Sequence, residues 1–323
     1  MSITLKQTEG KMTKMINSFV FLDLETTDLI RYGIMPRITE LAMVAVLREH
    51  IKIPQSKLPR VLAKLVIPIN PNENIPKIVT KITELTNHHL KNIKQFDFNV
   101  CGQINHFLQR LEEPICFVAH NGKKFDYPIL LNEFQNYGEV LPSEILAVDS
   151  LDVFRHYFKE KSIIQEQKKM KETLETNDNC HSLLKDNWDD VIGSVLDSTD
   201  TLGNCEEISK IKKTDSFDSN KDLRLNLQRN NDKTPDLKIT REETMDYAET
   251  HKIIQKEQIF TKPANLKLET IFKNMTGSYI ENSHYAESDC LSLIRCANLI
   301  GEDFIEFADN NAKLLNTYER HIQ

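Results

Sequence analysis

The sequence predicts an α/β layer fold, interrupted late by a long charged insertion. Three observations predict it. Short apolar runs bounded by turn residues recur through the first 150 residues, and segments of helical period stand between them. From about residue 159 to 260 both patterns stop, and helical periodicity returns only afterwards. Helices that late in the chain have no strands of their own to cover, so the segments flanking the insertion are expected to close into one domain. The expected organisation is a flexible N-terminus over 1–17, a single domain built from 18–158 and 262–323, and a low-order charged insertion over 159–261.

The elements follow in order. SFVFLDLETT, beginning at Ser18, and ITELAMVAVL (38–47) are short, apolar on both faces and rich in β-formers, and a turn carrying Gly33 and Pro36 separates them. RVLAKLVIPINP (60–71) alternates well enough for a third strand, and Pro68 suits an edge because its nitrogen carries no hydrogen to donate to a ladder. Ile104, Phe107, Leu108 and Leu111 recur at helical spacing until Pro114 ends the run, and PICFVAH (114–120) then reads as a short buried strand. Phe125, Ile129, Leu130 and Phe134 mark another helix, with Pro128 acceptable in its first turn. EILAVDSL (144–151) is a strand leading into a helix. Beyond the insertion, NLKLETIFKNMTG (265–277) is a helix closed by Gly277, followed by helices from about 284 to 300 and from about 302.

Composition narrows the function classes. Mean hydropathy is negative and no apolar run approaches the length of a membrane span, which argues against an integral membrane protein. The first residues lack the apolar stretch and cleavage site of a secretory signal. The six cysteines show no CxxC spacing, so they read as reduced thiols of a soluble intracellular protein of the cytoplasm or nucleus, with no support for zinc. The net charge of −7 taken alone argues against a nucleic-acid partner. It is unevenly spread, since residues 159–260 hold 17 Lys and Arg against 22 Asp and Glu, and a locally basic path elsewhere is not excluded.

Three segments carry the chemistry. On a strand, Asp23 and Glu25 share a face and end a run that is apolar on both sides; buried acids that close must be protonated, paired or bound to a cation. AHNGKKFDYPIL sets a turn at His120, Asn121 and Gly122 before Asp126 in the first turn of a helix. HYAESDCLSLIRCA puts Asp289 early on a helix whose apolar face is Ala286, Cys290, Leu293, Ile294 and Ala297, with His284 at or before its start. Each has an ordinary reading by itself. Asp23 and Glu25 could be solvated beyond a strand end, Asp126 could serve the helix dipole, and a single histidine near a helix start is common.

Together, DxE, HNGxxFD and HxAxxD in that order resemble the three motifs of the DnaQ-like DEDDh exonucleases, and within them the three-prime repair exonuclease family. PRITEL (36–41), RVLAKL (60–65), KITELT (81–86), FVAHNG (117–122), VDS (148–150) and HYAESD (284–289) extend the likeness, which covers about 18–158 and 262–300. The resemblance implies an RNase H-like mixed central sheet flanked by helices. It implies that Asp23, Glu25, Asp126 and Asp289 hold two Mg²⁺ ions about 4 Å apart, with Mn²⁺ able to substitute, and that His284 is the general base. It assigns the terminal nucleotides to Thr26, Leu29 and Ile82, the nucleotide pocket to His120 and Phe125, and a strand contact to Lys124. The implied activity is 3′→5′ removal of nucleoside monophosphates from single-stranded or frayed DNA, by a homodimer paired through the strand near 61–69. No membrane anchor is expected after the third motif.

The chain departs from the family in carrying Asp28 where glycine is common and Phe125 where mammalian members have tyrosine, and in the length of its insertion. Two alternatives remain at the level of sequence. One is an exoribonuclease of the same superfamily. The other is a nucleic-acid-binding scaffold acting through the insertion.

Overall fold

A computed structural model describes residues 5–8, 11–176 and 260–319. The chain divides into two compact units, residues 1–166 with 253–323 and residues 167–252; of the second only the end of one helix is described.

The first unit is built on a mixed six-stranded sheet. Its strands are β3 (Ser18–Thr26), β4 (Ile38–Leu47), β5 (Ala63–Pro68), β6 (Ile115–Ala119), β7 (Leu146–Asp149) and β8 (Lys313–Leu314), in the order β5-β4-β3-β6-β7-β8. β3, β4 and β5 form an antiparallel meander, β6 and β7 run parallel to β3, and β8 closes the far edge antiparallel to β7. β5 does lie on the other edge, with Pro68 as its last residue. A separate ribbon pairs β1 (Leu5–Thr8) with β2 (Lys11–Lys14) within the stretch expected to be only a flexible terminus.

The two-residue period of β3 sorts its side chains between two cores. Phe19 and Phe21 face one side with Ala42, Val44, Cys116 and Val148. That side is covered by the first turns of helix α6 (Ser150–Thr176), as far as Phe158, and by α7 (Leu268–Thr276), α8 (Ala286–Ile300) and α9 (Glu302–Asn311). Val20, Leu22 and Leu24 face the other, under α4 (Phe98–Leu108) and α5 (Asp126–Asn136), which supply Ile104, Phe107, Leu130 and Phe134. Phe304 of α9 packs on both Phe19 and Phe21, at ring separations of 5.3 and 6.1 Å. Residues after 260 thus pack into the core begun by β3.

Three short helices, α1 (Arg48–Lys52), α2 (Lys77–Thr83) and α3 (Asn87–Leu90), had no clear periodic signal, and neither had the two-residue β8. α6 runs past residue 158 to Thr176. The sequence there, rich in Lys, Glu and Gln without glycine or proline, favours a continuing helix. The expectation of a low-order insertion falls, over 177–259, outside the described residues. Among the described residues no helix is long and apolar enough to cross a membrane. Cys101, Cys116, Cys290 and Cys296 are buried free thiols.

Candidate active site

β3 ends beside β4 and under the start of α8, and the acids converge there. Asp23 and Glu25 sit near its C-terminal end, Glu25 directly opposite Glu40 of β4, with a bulge immediately afterwards between Glu25 and Thr26. Asp126 opens α5 on the other side of the sheet; it is buried, and the backbone N–H of Leu24 donates to its Oδ1 at 3.1 Å. Asp289 lies one turn into α8, and the backbone N–H of His284 donates to its Oδ2 at 3.2 Å. One carboxylate oxygen from each of Glu25 and Asp289 and one ring nitrogen of His284 fall within 4.8 Å of one another.

Burial and mutual repulsion hold these groups toward their neutral forms. Removal from water raises the Asp23 carboxyl well above its ordinary value, and the charges of Asp126, Glu25, Asp289 and Glu40 push it further. Burial, then Asp289, Glu40 and Asp126, carry Glu25 up to about 8. Burial raises Asp126 to about 7 against the hydrogen bonds that favour its ionised form, and raises Asp289 to about 6. Asp289 Oδ1 is buried without a hydrogen-bond partner. Four acids disfavoured as bare anions, one with an orphaned oxygen, suit hard divalent cations with oxygen ligands.

Two residues outside the expected set build this geometry. Glu40 accepts from the backbone N–H of Ala286 at 2.9 Å, capping α8, whose own N-cap Tyr285 makes no side-chain cap. Its signal in the sequence is one acid within the otherwise apolar ITELAMVAVL. Asp149, buried at the end of β7, accepts from the backbone N–H groups of Asn121 at 2.9 Å, Lys123 at 3.2 Å and Leu151 at 2.9 Å, and so fixes the turn ahead of Asp126. That turn places Asn121 at φ 64° and leaves no room at Gly122, where a Cβ would meet Ala119 Cβ at 2.6 Å and Tyr127 Cζ at 2.8 Å.

The remaining expected residues are distributed as follows. His120 is largely enclosed: its Nε2 donates to the carbonyl of Leu266 at 2.8 Å, so Nδ1 accepts from the Ser150 hydroxyl at 2.9 Å, and burial lowers its pKa. Both ring nitrogens are therefore engaged by protein. Phe125 is half-buried against the core at the N-cap of α5, and Lys124 beside it is exposed. Thr26 is buried, with its hydroxyl donating to Asp28 O at 2.7 Å. Leu29 in the following loop and Ile82 on α2 are both exposed large apolar residues. α2 is tied to the start of α8 by a hydrogen bond from the Tyr285 hydroxyl to Glu84. Asp28, in place of the usual glycine, accepts from Leu29 N–H at 2.8 Å and pairs with Arg31 at 3.2 Å, an arrangement that needs no left-handed residue at 28.

Likeness to a known family covers the segments of Asp23, Glu25 and Asp126. The family model described as Exonuclease (RNase_T) matches residues 20–187. Three prime repair exonuclease 2 of Mus musculus is 37% identical over 146 residues, which cover 43% of this chain and 61% of that protein. Three-prime repair exonuclease 1 of Bos taurus is 36% identical over 134 residues, covering 38% of this chain and 42% of that one. The chain therefore spans less than two thirds of the length of these relatives. Among solved structures, E. coli exonuclease I in complex with a dT13 oligonucleotide aligns over 91% of this chain and 43% of its own, at 14% identity and a TM-score of 0.47. With a family model laid across more than half of its 323 residues, the chain belongs to the exonuclease family and is a relative of the three prime repair exonucleases.

Proposed function

We propose that this chain is a metal-dependent 3′→5′ DNA exonuclease that releases nucleoside 5′-monophosphates from single-stranded or frayed ends. The observation that carries this is the convergence of Asp23, Glu25, Asp126 and Asp289, drawn from three distant segments, with His284 at the exposed side of the cluster. The four carboxylates would hold a pair of divalent cations, Mg²⁺ with Mn²⁺ as a substitute. Bound there, the cations supply positive charge against the scissile phosphodiester and make the attacking water more acidic.

The protein's own groups do the rest. His284, half exposed, accepts the water's proton on a ring nitrogen as the water oxygen attacks phosphorus. The bond to the 3′ oxygen of the penultimate nucleotide breaks and that oxygen takes a proton from solvent, leaving a mononucleotide with a 5′-phosphate and a strand with a new 3′ hydroxyl. Asp289 holds the His284 backbone, and Glu40 holds the helix that carries Asp289. Leu29 and Ile82, exposed apolar side chains after β3 and on α2, would unstack the last base, favouring frayed ends. Lys124 would meet a strand phosphate, Thr26 would secure the terminal nucleotide through its backbone, and Phe125 would line its pocket. His120 enters this reading as part of the pocket wall.

Asp126→Ala should lower the rate of mononucleotide release by more than about 100-fold, since even supporting groups of metal sites cost about 10- to 100-fold. His284→Ala should lower kcat by about 10²- to 10⁴-fold. Both are read on a single-stranded oligodeoxynucleotide with Mg²⁺, beside an RNA of the same sequence, on which turnover should be slower. Wild-type rates in both variants would reject the proposal.

The proposed homodimer uses β5. Its edge position leaves backbone groups able to extend the sheet, and Val66 on it is exposed. Light scattering at micromolar concentration should give twice the chain mass, and a monomer mass would contradict this pairing.

A further inference from the structure

We propose that Glu269 is a positioning residue that orients the His284 imidazole, an inference that rests on the reading of His284 as the proton acceptor. α7 is anchored by Ile271, Phe272 and Met275 in the core, which fixes Glu269 in its first turn. The Glu269 Oε1 atom accepts from the Ser283 hydroxyl at 2.7 Å and lies 3.6 Å from His284 Nε2. One carboxylate oxygen thus accepts from Ser283 and lies within ion-pair distance of the next residue, His284.

That loop needs an external hold. Asn282 and His284 both adopt left-handed backbone, at φ 53° and 67°, a conformation that non-glycine residues keep only when their surroundings enforce it. The His284 N–H to Asp289 bond secures its backbone, whereas the ring, 48% exposed, gains its orientation from Glu269. A base that must meet one water in one direction loses rate when its ring samples other rotamers.

α7 is itself registered to the site. His120 Nε2 donates to the carbonyl of Leu266, two residues before the helix begins, and His120 starts the turn that leads to Asp126. The path runs from that turn through His120 to α7, and from Glu269 to His284. It places a third group behind the nucleophile-activating base, the arrangement in which a carboxylate holds an imidazole in its productive orientation. It also gives His120 a task inside the protein, consistent with both of its ring nitrogens being occupied.

The test uses the full chain and steady-state release of mononucleotides from a single-stranded oligodeoxynucleotide with Mg²⁺. Glu269→Ala should lower kcat by about tenfold with KM nearly unchanged, in the range found for supporting partners of active-site groups. Glu269→Asp should recover much of that loss. Glu269→Gln, which keeps an acceptor for Ser283 and the side-chain shape, should fall between them. The double variant Glu269→Ala/His284→Ala should be no slower than His284→Ala alone, because the carboxylate acts through the ring. Wild-type kcat in Glu269→Ala and Glu269→Gln beside an inactive His284→Ala would overturn this inference and leave the proposed function standing. Further loss in the double variant would also overturn it. Full activity in His284→Ala would overturn both.

Discussion

At the scale of single residues, the cluster around Asp23 makes opposite demands on the protein with and without cations. Burial raises the carboxyls of Glu25 to about 8, Asp126 to about 7 and Asp289 to about 6, so folding favours their protonated forms. The sign follows from linkage: the folded chain binds more protons than the unfolded one between the ordinary carboxylate range and about pH 8. The cation-free protein is therefore expected to lose stability from this source as pH rises from about 4 to about 8, and cation affinity should rise over the same window. Thermal unfolding with EDTA at about pH 6 and about pH 8.5 measures the first, and added Mg²⁺ should raise the melting temperature more at the higher pH. Glu25→Gln should flatten the EDTA difference. A second prediction belongs to Gly122, where a methyl would strike Ala119 and the Tyr127 ring. Tyr127 donates to Val148 O at 2.7 Å and accepts from Ala119 N–H at 2.9 Å, so it has little freedom to retreat. Gly122→Ala should cost about 1–3 kcal/mol in denaturant unfolding. Asp23 and Glu25 stood out in the sequence because carboxylates that end an apolar run are costly to bury unless a proton or a cation offsets their charge. Asp126 and Asp289, each at a helix start, were singled out only by the resemblance of the three motifs together. Glu40 and Asp149 stood in segments that drew notice, an acid in an apolar run and the VDS text, but their tasks were hidden because the N–H groups of Ala286 and Asn121 that they hold are remote in the chain.

At the scale of elements, the strands and long helices follow their periods closely. The apolar run from Ser18 gives β3 with both faces buried, Pro68 closes an edge strand, and Pro128 falls in the first turn of α5, where its missing N–H has no intrahelical acceptor to lose. α7 stops at Gly277 in the left-handed region at φ 72°. The short helices escaped because seven residues or fewer make at most about two turns, too few to establish a helical period, and the two-residue β8 exists only through its pairing with β7. α8 is the element on which the site depends most, because it brings Asp289 to β3. Its N-terminus is capped by Glu40 from another strand, and its far end is held by Asn298, whose side-chain amide donates to the carbonyls of His50, Ile51 and Ile53 and accepts from Gln55 N–H. Glu40→Ala should destabilise the protein by about 0.5–2 kcal/mol, the range for a lost cap, while Glu40→Gln keeps an acceptor and should cost less. Equal losses in the two, read by chemical denaturation, would argue against a capping role.

At the scale of the whole molecule, the domain is completed across a long interruption. Phe19 and Phe21 belong to the first strand of the sheet and Phe304 to its last long helix, yet they share one aromatic cluster. The same closure brings Asp289 close enough to Asp23 for its charge to help raise the Asp23 carboxyl. The helices over 265–277 and 284–300 were expected to cover this sheet because they had no other, whereas nothing in the sequence reported the ribbon of β1 and β2. Polarity of digestion tests the central claim most directly. With Mg²⁺, a single-stranded oligodeoxynucleotide labelled at its 3′ terminal nucleotide should lose its label as mononucleotide from the first time points. The same strand labelled at the 5′ end should shorten stepwise, and EDTA should stop both. Early release of the 5′ label, or digestion indifferent to EDTA, would contradict the account.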